Sequence, residues 1–280
     1  MSDPLVSPAW LAKRLGDPGV QVVDASWYMP GETGSGAADH AAGHIPGAVF
    51  FDIDAIADKT TDLPHMLPSP RAFAEAVGRL GLRREATLVV YDARGIFSAP
   101  RVWWSLRAMG FDKVFVLDGG LPAWRAEGHP VETATAQPAN HAEAPAFRPD
   151  LVRGLDDIRD LVESRAAQIV DARSAGRFTG EAPEPRAGLR SGHMPGARNL
   201  PWGELLTPDG RMKPAADLRA AFAAAGVDLA APIVTTCGSG VSAAILALGL
   251  ARLGREDVPV YDGSWTEWGG LADTPVVKGP

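Results

Sequence analysis

Cys237 is the only cysteine in the chain of 280 residues, and it opens the run Cys237-Gly238-Ser239-Gly240-Val241-Ser242. A short β-branched stretch, 232–236, precedes it, and an apolar helical pattern, roughly 242–253, follows and can stop at Gly254. The pattern predicts a strand, a tight turn and a helix. A thiol at such a turn lies at the C-terminal edge of a sheet, where ligands of open α/β sheets bind. The two glycines, Gly238 and Gly240, let backbone N–H groups turn inward. The helix N-terminus adds partial positive charge. Both effects favour the thiolate, which is the nucleophilic form. Outside such a setting a lone cysteine reads as a small buried hydrophobe. The Gly-Ser-Gly run is too short for a nucleotide loop, and no GxxxxGK[ST] motif occurs. The six histidines form no HExxH pair, so neither a metal nor an organic cofactor is expected.

A second group of residues suits an anion. Arg177-Phe178-Thr179-Gly180-Glu181-Ala182-Pro183-Glu184-Pro185-Arg186 places two arginines on what reads as a loop bounded by Gly and Pro. A guanidinium is a planar fork that grips a carboxylate through paired, charge-assisted hydrogen bonds. Spacing alone fits solvated arginines, or pairing with Glu181 or Glu184, equally well.

The elements that must position these residues occur twice. Val22-Val23-Asp24-Ala25-Ser26 is echoed by Ile169-Val170-Asp171-Ala172-Arg173, and Gly43-His44-Ile45-Pro46-Gly47-Ala48 by Gly192-His193-Met194-Pro195-Gly196-Ala197. Leu117-Asp118-Gly119-Gly120 corresponds to Tyr261-Asp262-Gly263-Ser264, and Trp124 to Trp268. A repeat of about 145 residues is too long for a solenoid unit and reads as a duplicated domain. Buried strands are predicted at 20–23, 88–91 and 114–117, with counterparts at 168–170, 232–235 and 258–261. Helices are predicted at 70–80 and 215–225, ending at Gly81 and Gly226. Short apolar strands alternating with helices give an α/β fold with a mainly parallel sheet flanked by helices in each half. The predicted division is a first domain at 1–131, a linker rich in Ala, Pro and Thr at 132–149, and a second domain at 150–280.

The first half is an internal control. Its equivalent loop, Asp92-Ala93-Arg94-Gly95-Ile96-Phe97-Ser98, is one residue longer and carries Asp92 in place of the cysteine. It keeps the scaffold and lacks the nucleophile. His44 and His193 occupy equivalent places in both halves, which argues for a structural role. Trp103 and Trp104 fall in a predicted helix and read as core.

Composition narrows the partners. Lys plus Arg total 27 against 34 Asp plus Glu, a formal net charge of -7, which argues against nucleic acid and anionic membranes. The apolar share of 46% suits globular domains. One cysteine permits no internal disulfide, and no secretory leader is evident. The expected location is the cytoplasm.

The tandem repeat and the Cys-Gly-Ser-Gly-Val-Ser-Ala loop resemble the rhodanese superfamily, and within it the 3-mercaptopyruvate sulfurtransferases. The likeness covers nearly the whole chain, including Ser-Ala-Pro-Arg-Val-Trp-Trp at 98–104 and Tyr-Asp-Gly-Ser-Trp at 261–265. Ser242 stands where that pattern has Thr, and the hydroxyl is kept. Thiosulfate-preferring relatives carry Cys-Arg-Lys-Gly-Val-Thr, whereas here those basic positions are Gly238 and Ser239. The resemblance implies two tandem rhodanese-like domains. It implies a Cys237 persulfide, with Gly238, Gly240, Val241 and Ser242 cradling it and Arg177 and Arg186 binding a small anionic sulfur donor. Ser239, His65 and Asp54 would relay the proton that pyruvate needs, His65 and Asp54 acting from the first domain. The acceptor would be a thiol, such as reduced thioredoxin, or cyanide. Two alternatives remain at this level: a thiosulfate sulfurtransferase, and a non-enzymatic persulfide carrier. A cysteine phosphatase needs Cys-x5-Arg, and the sixth residue after Cys237 is Ala243.

Overall fold

The structure, a computed structural model, describes residues 3–29, 31–134 and 139–280. Two compact units emerge. The first comprises Met1–Lys59, Leu67–Arg148 and Leu206–Met212; the second comprises Thr60–Met66, Pro149–Leu205 and Lys213–Pro280. Two short segments thus depart from a division made at the linker alone. Of the expected linker, residues 135–138 lie outside the described residues. The stretch after them is fastened to the first unit rather than loose. His141 N–H donates to the Gly78 carbonyl at 2.9 Å, and Arg148 N–H to the Ala108 carbonyl at 2.7 Å. Arg84 N–H donates to the Glu143 carboxylate at 2.9 Å.

The first unit builds one parallel sheet from β1 (Leu5–Val6), β2 (Val20–Asp24), β3 (Val49–Phe50), β4 (Thr87–Tyr91) and β5 (Val114–Leu117), ordered β1-β5-β4-β2-β3. The second unit repeats it with β6 (Val152–Arg153), β7 (Gln168–Asp171), β8 (Arg198–Asn199), β9 (Ile233–Thr236) and β10 (Val260–Tyr261), ordered β6-β10-β9-β7-β8. The central strands β4 and β9 are buried on consecutive residues because helices cover both faces of a parallel sheet. Leu88, Val89, Val90 and Tyr91 are fully buried, as is all of β9. The two-residue edge strands carry too little periodicity to be read from sequence.

Local chemistry sets the helix limits. Ser69 Oγ accepts from Ala72 N–H and opens the helix Pro70–Arg79, with Pro70 at its first position. Leu80, expected inside that helix, is its cap. The helix Ala243–Arg252 is apolar all round and buried from Ala243 to Ala251. Trp103 and Trp104 are core residues of the helix Ala99–Ala108. In the second core Trp265 and Trp268 pack with Met194, Val234 and Tyr261. Among the described residues no helix is long and apolar enough to cross a membrane.

The turn after β5 brings backbone against backbone. Gly120 has φ +55°, and a Cβ there would sit 2.4 Å from the Gly95 carbonyl oxygen and 2.5 Å from that of Asp92. Neither oxygen sits on a flexible side chain, so the clash has no inexpensive relief. Gly120→Ala is expected to destabilise the fold by about 2–4 kcal/mol, seen as a lower urea midpoint; an unchanged midpoint contradicts this packing.

Candidate active site

Cys237 follows β9 directly and is 1% exposed. Its backbone is sewn to the start of the helix Ser264–Trp268. Cys237 N–H donates to Ser264 Oγ at 3.2 Å, and Ser264 Oγ–H donates to the Tyr261 carbonyl at 2.8 Å. Trp265 N–H donates to the Cys237 carbonyl at 2.9 Å. Thr266 gives the Gly238 carbonyl both its N–H, at 2.8 Å, and its hydroxyl, at 2.7 Å. Ser264 holds this position at φ +50°, a left-handed conformation that costs a non-glycine residue about 1–3 kcal/mol. Gly240, at φ +78°, makes the turn that Ser239 and Val241 flank, both buried. Ser242 leads into the helix Ala243–Arg252.

The first unit reveals what this loop does to an anion. Asp92, the counterpart of Cys237, is buried, and its carboxylate accepts the N–H groups of Arg94, Phe97, Ser98 and Ala99 at 2.8–3.0 Å. Leu121 N–H holds the Asp92 carbonyl at 3.0 Å, as Trp265 holds that of Cys237. Burial pushes the Asp92 carboxyl above its ordinary range, while the four amides pull the other way. In the first unit the loop therefore aims its amides at the side chain in this place, and does so for a charge that burial opposes.

Arg177 sits on the short helix Ala175–Thr179 rather than on a loop. A Cβ on Gly238 would lie 2.8 Å from its Nη2, so the guanidinium occupies the space a side chain at 238 would need. Glu184 holds it there, accepting from Arg177 Nη2 at 2.5 Å and from Nε at 3.3 Å. Glu184 in turn accepts from Arg173 Nη1 at 2.7 Å. Arg173 has no exposed side-chain surface; it binds both carboxylate oxygens of Asp171 at 2.6–3.1 Å and the Gly192 carbonyl at 2.9 Å. Its guanidinium carbon lies 4.2 Å from the Trp265 ring centroid, under the residue that holds the Cys237 carbonyl. Burial works against the Arg173 charge, but Asp171 and Glu184 more than offset it and raise its pKa.

Arg186 Nη2 lies 3.5 Å from His65 Nε2. The second unit thus contains Cys237, Ser239, Arg177, Arg186 and His65. This corrects the expectation that His65 belongs with the first domain: Thr60–Met66 packs into the second unit, His65 being buried at φ +62°. Asp54 belongs to the first unit, in the helix Ile53–Ile56, where its carboxylate accepts the Trp27 indole N–H at 2.9 Å. His44 stacks on His40 with ring centroids 3.9 Å apart, and His193 stacks on Phe178 at 3.7 Å. Both histidines are buried packing elements. Among the described residues no group of three or more His, Cys, Asp or Glu side chains is disposed to hold a metal ion.

Arg173 and Ser264 escape a reading for chemistry, although each breaks the internal repeat. Arg173 stands where the first half has Ser26, and Ser264 where it has Gly120.

A model of the Rhodanese-like domain matches residues 7–127 and again residues 155–271. The chain belongs to the rhodanese family. It is 45% identical over 272 residues to the 3-mercaptopyruvate sulfurtransferase of Escherichia coli K12, covering 97% of this chain and 96% of that one. It is 44% identical over 296 residues to thiosulfate/3-mercaptopyruvate sulfurtransferase 1, mitochondrial, of Arabidopsis thaliana, covering 98% of this chain and 78% of that one. The crystal structure of the Escherichia coli 3-mercaptopyruvate sulfotransferase SseA superposes with a TM-score of 0.87 at 43% identity, covering 94% of this chain and 99% of the other. The rhodanese fold is therefore present twice, with the cysteine loop in the second copy.

Two substitutions separate aim from stability. Gly238→Ala, at an ordinary φ, displaces only the flexible end of Arg177. It is expected to change stability by under about 1 kcal/mol while raising KM for an anionic donor; a normal KM contradicts the placement of Arg177. Arg173→Ala leaves two buried carboxylates short of their cation and is expected to cost about 3–5 kcal/mol in denaturant unfolding.

Proposed function

We propose that this rhodanese is a 3-mercaptopyruvate sulfurtransferase, with Cys237 as the sulfur-carrying nucleophile. The observation that carries the reading is the Arg177 guanidinium lodged against Gly238, one residue from the thiol. An α-keto carboxylate held there presents its mercapto sulfur to Cys237. The name of the Escherichia coli relative supports the same donor, while that of the Arabidopsis thaliana relative gives both thiosulfate and 3-mercaptopyruvate.

In the first step the Cys237 thiolate attacks the donor sulfur. A new S–S bond forms, the donor C–S bond breaks, and its electron pair leaves as the enolate of pyruvate. The proton that began on the mercapto sulfur ends on the pyruvate methyl carbon, so it needs a path. Ser239, with His65 of the same unit, is the proposed relay. Arg177 and Arg186 hold the carboxylate and keto oxygen and favour the charge that develops on the enolate. Amides of residues 238–242 stabilise the persulfide as those of the first unit stabilise Asp92. In the second step a thiol, a reduced thioredoxin or cyanide takes the outer sulfur and restores the thiolate. The cycle is covalent and two-step, so ping-pong kinetics are expected.

Thiosulfate as principal donor is the second reading. It is disfavoured by Gly238 and Ser239, which put no cation of their own beside the sulfur. Comparison of kcat/KM for the two donors decides between them, and a strong thiosulfate preference overturns the assignment. Cys237→Ser should abolish pyruvate release and the mass gain of one sulfur atom after brief donor exposure. Survival of either removes Cys237 as the nucleophile. Arg186→Ala should raise KM for 3-mercaptopyruvate roughly tenfold or more, the loss of one charge-assisted contact, with a smaller effect on thiosulfate.

A further inference from the structure

The site that recognises the donor contains a carboxylate as well as two arginines. Glu184 is 2% exposed on its side chain, whereas Arg177 is 20% exposed. Both oxygens of Glu184 are committed, one to Arg173 and Arg177 together and the other to Arg177. Asp171, Arg173, Glu184 and Arg177 form a row of alternating sign: carboxylate, guanidinium, carboxylate, guanidinium. The row sums to zero charge. It reaches the Cys237 loop through Arg177, at Gly238. Arg177 thus offers a hydrogen-bonding fork whose net field is largely cancelled from behind.

We infer that Glu184 is a specificity-determining residue for the donor: its charge cancels that of Arg177, so the site rewards the shape of a carboxylate more than the number of charges on the anion. The inference rests on the reading of Cys237 as nucleophile and Arg177 as a donor ligand. Its physical basis is the scaling of Coulomb energy with charge. An uncancelled cation attracts a dianion twice as strongly as a monoanion at equal distance, and it does so well beyond hydrogen-bond range in a partly buried site. A fork–carboxylate contact depends instead on two aligned N–H···O bonds. With Glu184 in place the long-range reward that Arg177 gives a second charge is small, while the Nη1 and remaining Nη2 N–H groups of Arg177 keep their directional reward. A monoanionic α-keto acid keeps that benefit, while a tetrahedral dianion such as thiosulfate loses the advantage that Arg177 would otherwise give its second charge. Glu184 touches no reacting atom; it acts through Arg177.

The test is donor preference in two variants and anion binding in the unmodified protein. Glu184→Gln keeps the size and part of the hydrogen bonding but removes the charge. The ratio of kcat/KM for thiosulfate to that for 3-mercaptopyruvate should rise by at least about fivefold, the effect of about 1 kcal/mol of extra attraction for the second charge. Glu184→Asp keeps the charge, and its ratio should stay within about twofold of the original even if both rates fall. A rise of equal size in both variants, or none in Glu184→Gln, overturns the inference. A wild-type measurement stands independently of whether the variants fold. Sulfate, a dianion, should inhibit no more tightly than pyruvate, a monocarboxylate. Tighter inhibition by sulfate overturns the inference. Mass spectrometry of the wild-type protein after donor exposure keeps the two levels apart. Absence of a sulfur adduct on Cys237 overturns the nucleophile reading, whereas an adduct with an unmoved donor ratio overturns only the role of Glu184.

Discussion

Arg173 carries a full positive charge with no solvent, and the second unit keeps it there only by surrounding it. Taking a guanidinium out of water costs several kcal/mol, and Asp171, Glu184, the Gly192 carbonyl and the Trp265 ring each return part of that cost. The partners come from four separate stretches of chain: the end of β7, the loop after the helix Ala175–Thr179, the turn before β8, and the helix Ser264–Trp268. Satisfying one buried cation therefore fixes four elements against each other. Two of these, the Glu184 loop and the Trp265 helix, touch Arg177 and the Cys237 backbone directly. The position of the proposed donor fork and that of the thiol are set by one interaction.

The two units solve one problem with different side chains. Each has a carboxylate at the end of its second strand, Asp24 or Asp171, in register with the end of the central strand. In the first unit Ser26, Tyr91 and His40 satisfy Asp24, a set without a permanent charge. In the second unit a single arginine takes that place and reaches onward to Glu184. The first unit spends its loop amides on its own Asp92, which fills the cradle with a fixed carboxylate. The same loop position thus carries a buried carboxylate in one copy and a buried thiol in the other.

Much of this was legible in the residues. The strand and helix pattern predicts the parallel sheets because strands covered on both faces are apolar on consecutive residues. The cysteine loop is legible because glycines at a strand–helix junction have a backbone reason to be there. Arg177 and Arg186 stand out by type. The Arg177–Glu184 pair, seven residues apart, is among the pairings the spacing allows, whereas the approach of Arg186 to His65, 121 residues away, is not legible, because partners far apart in sequence meet only in the fold. The packing of Thr60–Met66 is invisible for the same reason: nothing in the composition of that segment marks the unit it joins. Arg173 and Ser264 were visible only as breaks in the repeat, and comparison of the two halves turns such breaks into candidates.

The contact between Gly238 and Arg177 also bears on how this lineage can change. A basic side chain at 238, as in relatives that prefer thiosulfate, has to enter volume already filled by the Arg177 guanidinium. The two positions are therefore epistatic. Any side chain at 238 enters only with a shift of the Arg177 guanidinium, so what a residue does at one of these positions depends on the residue at the other.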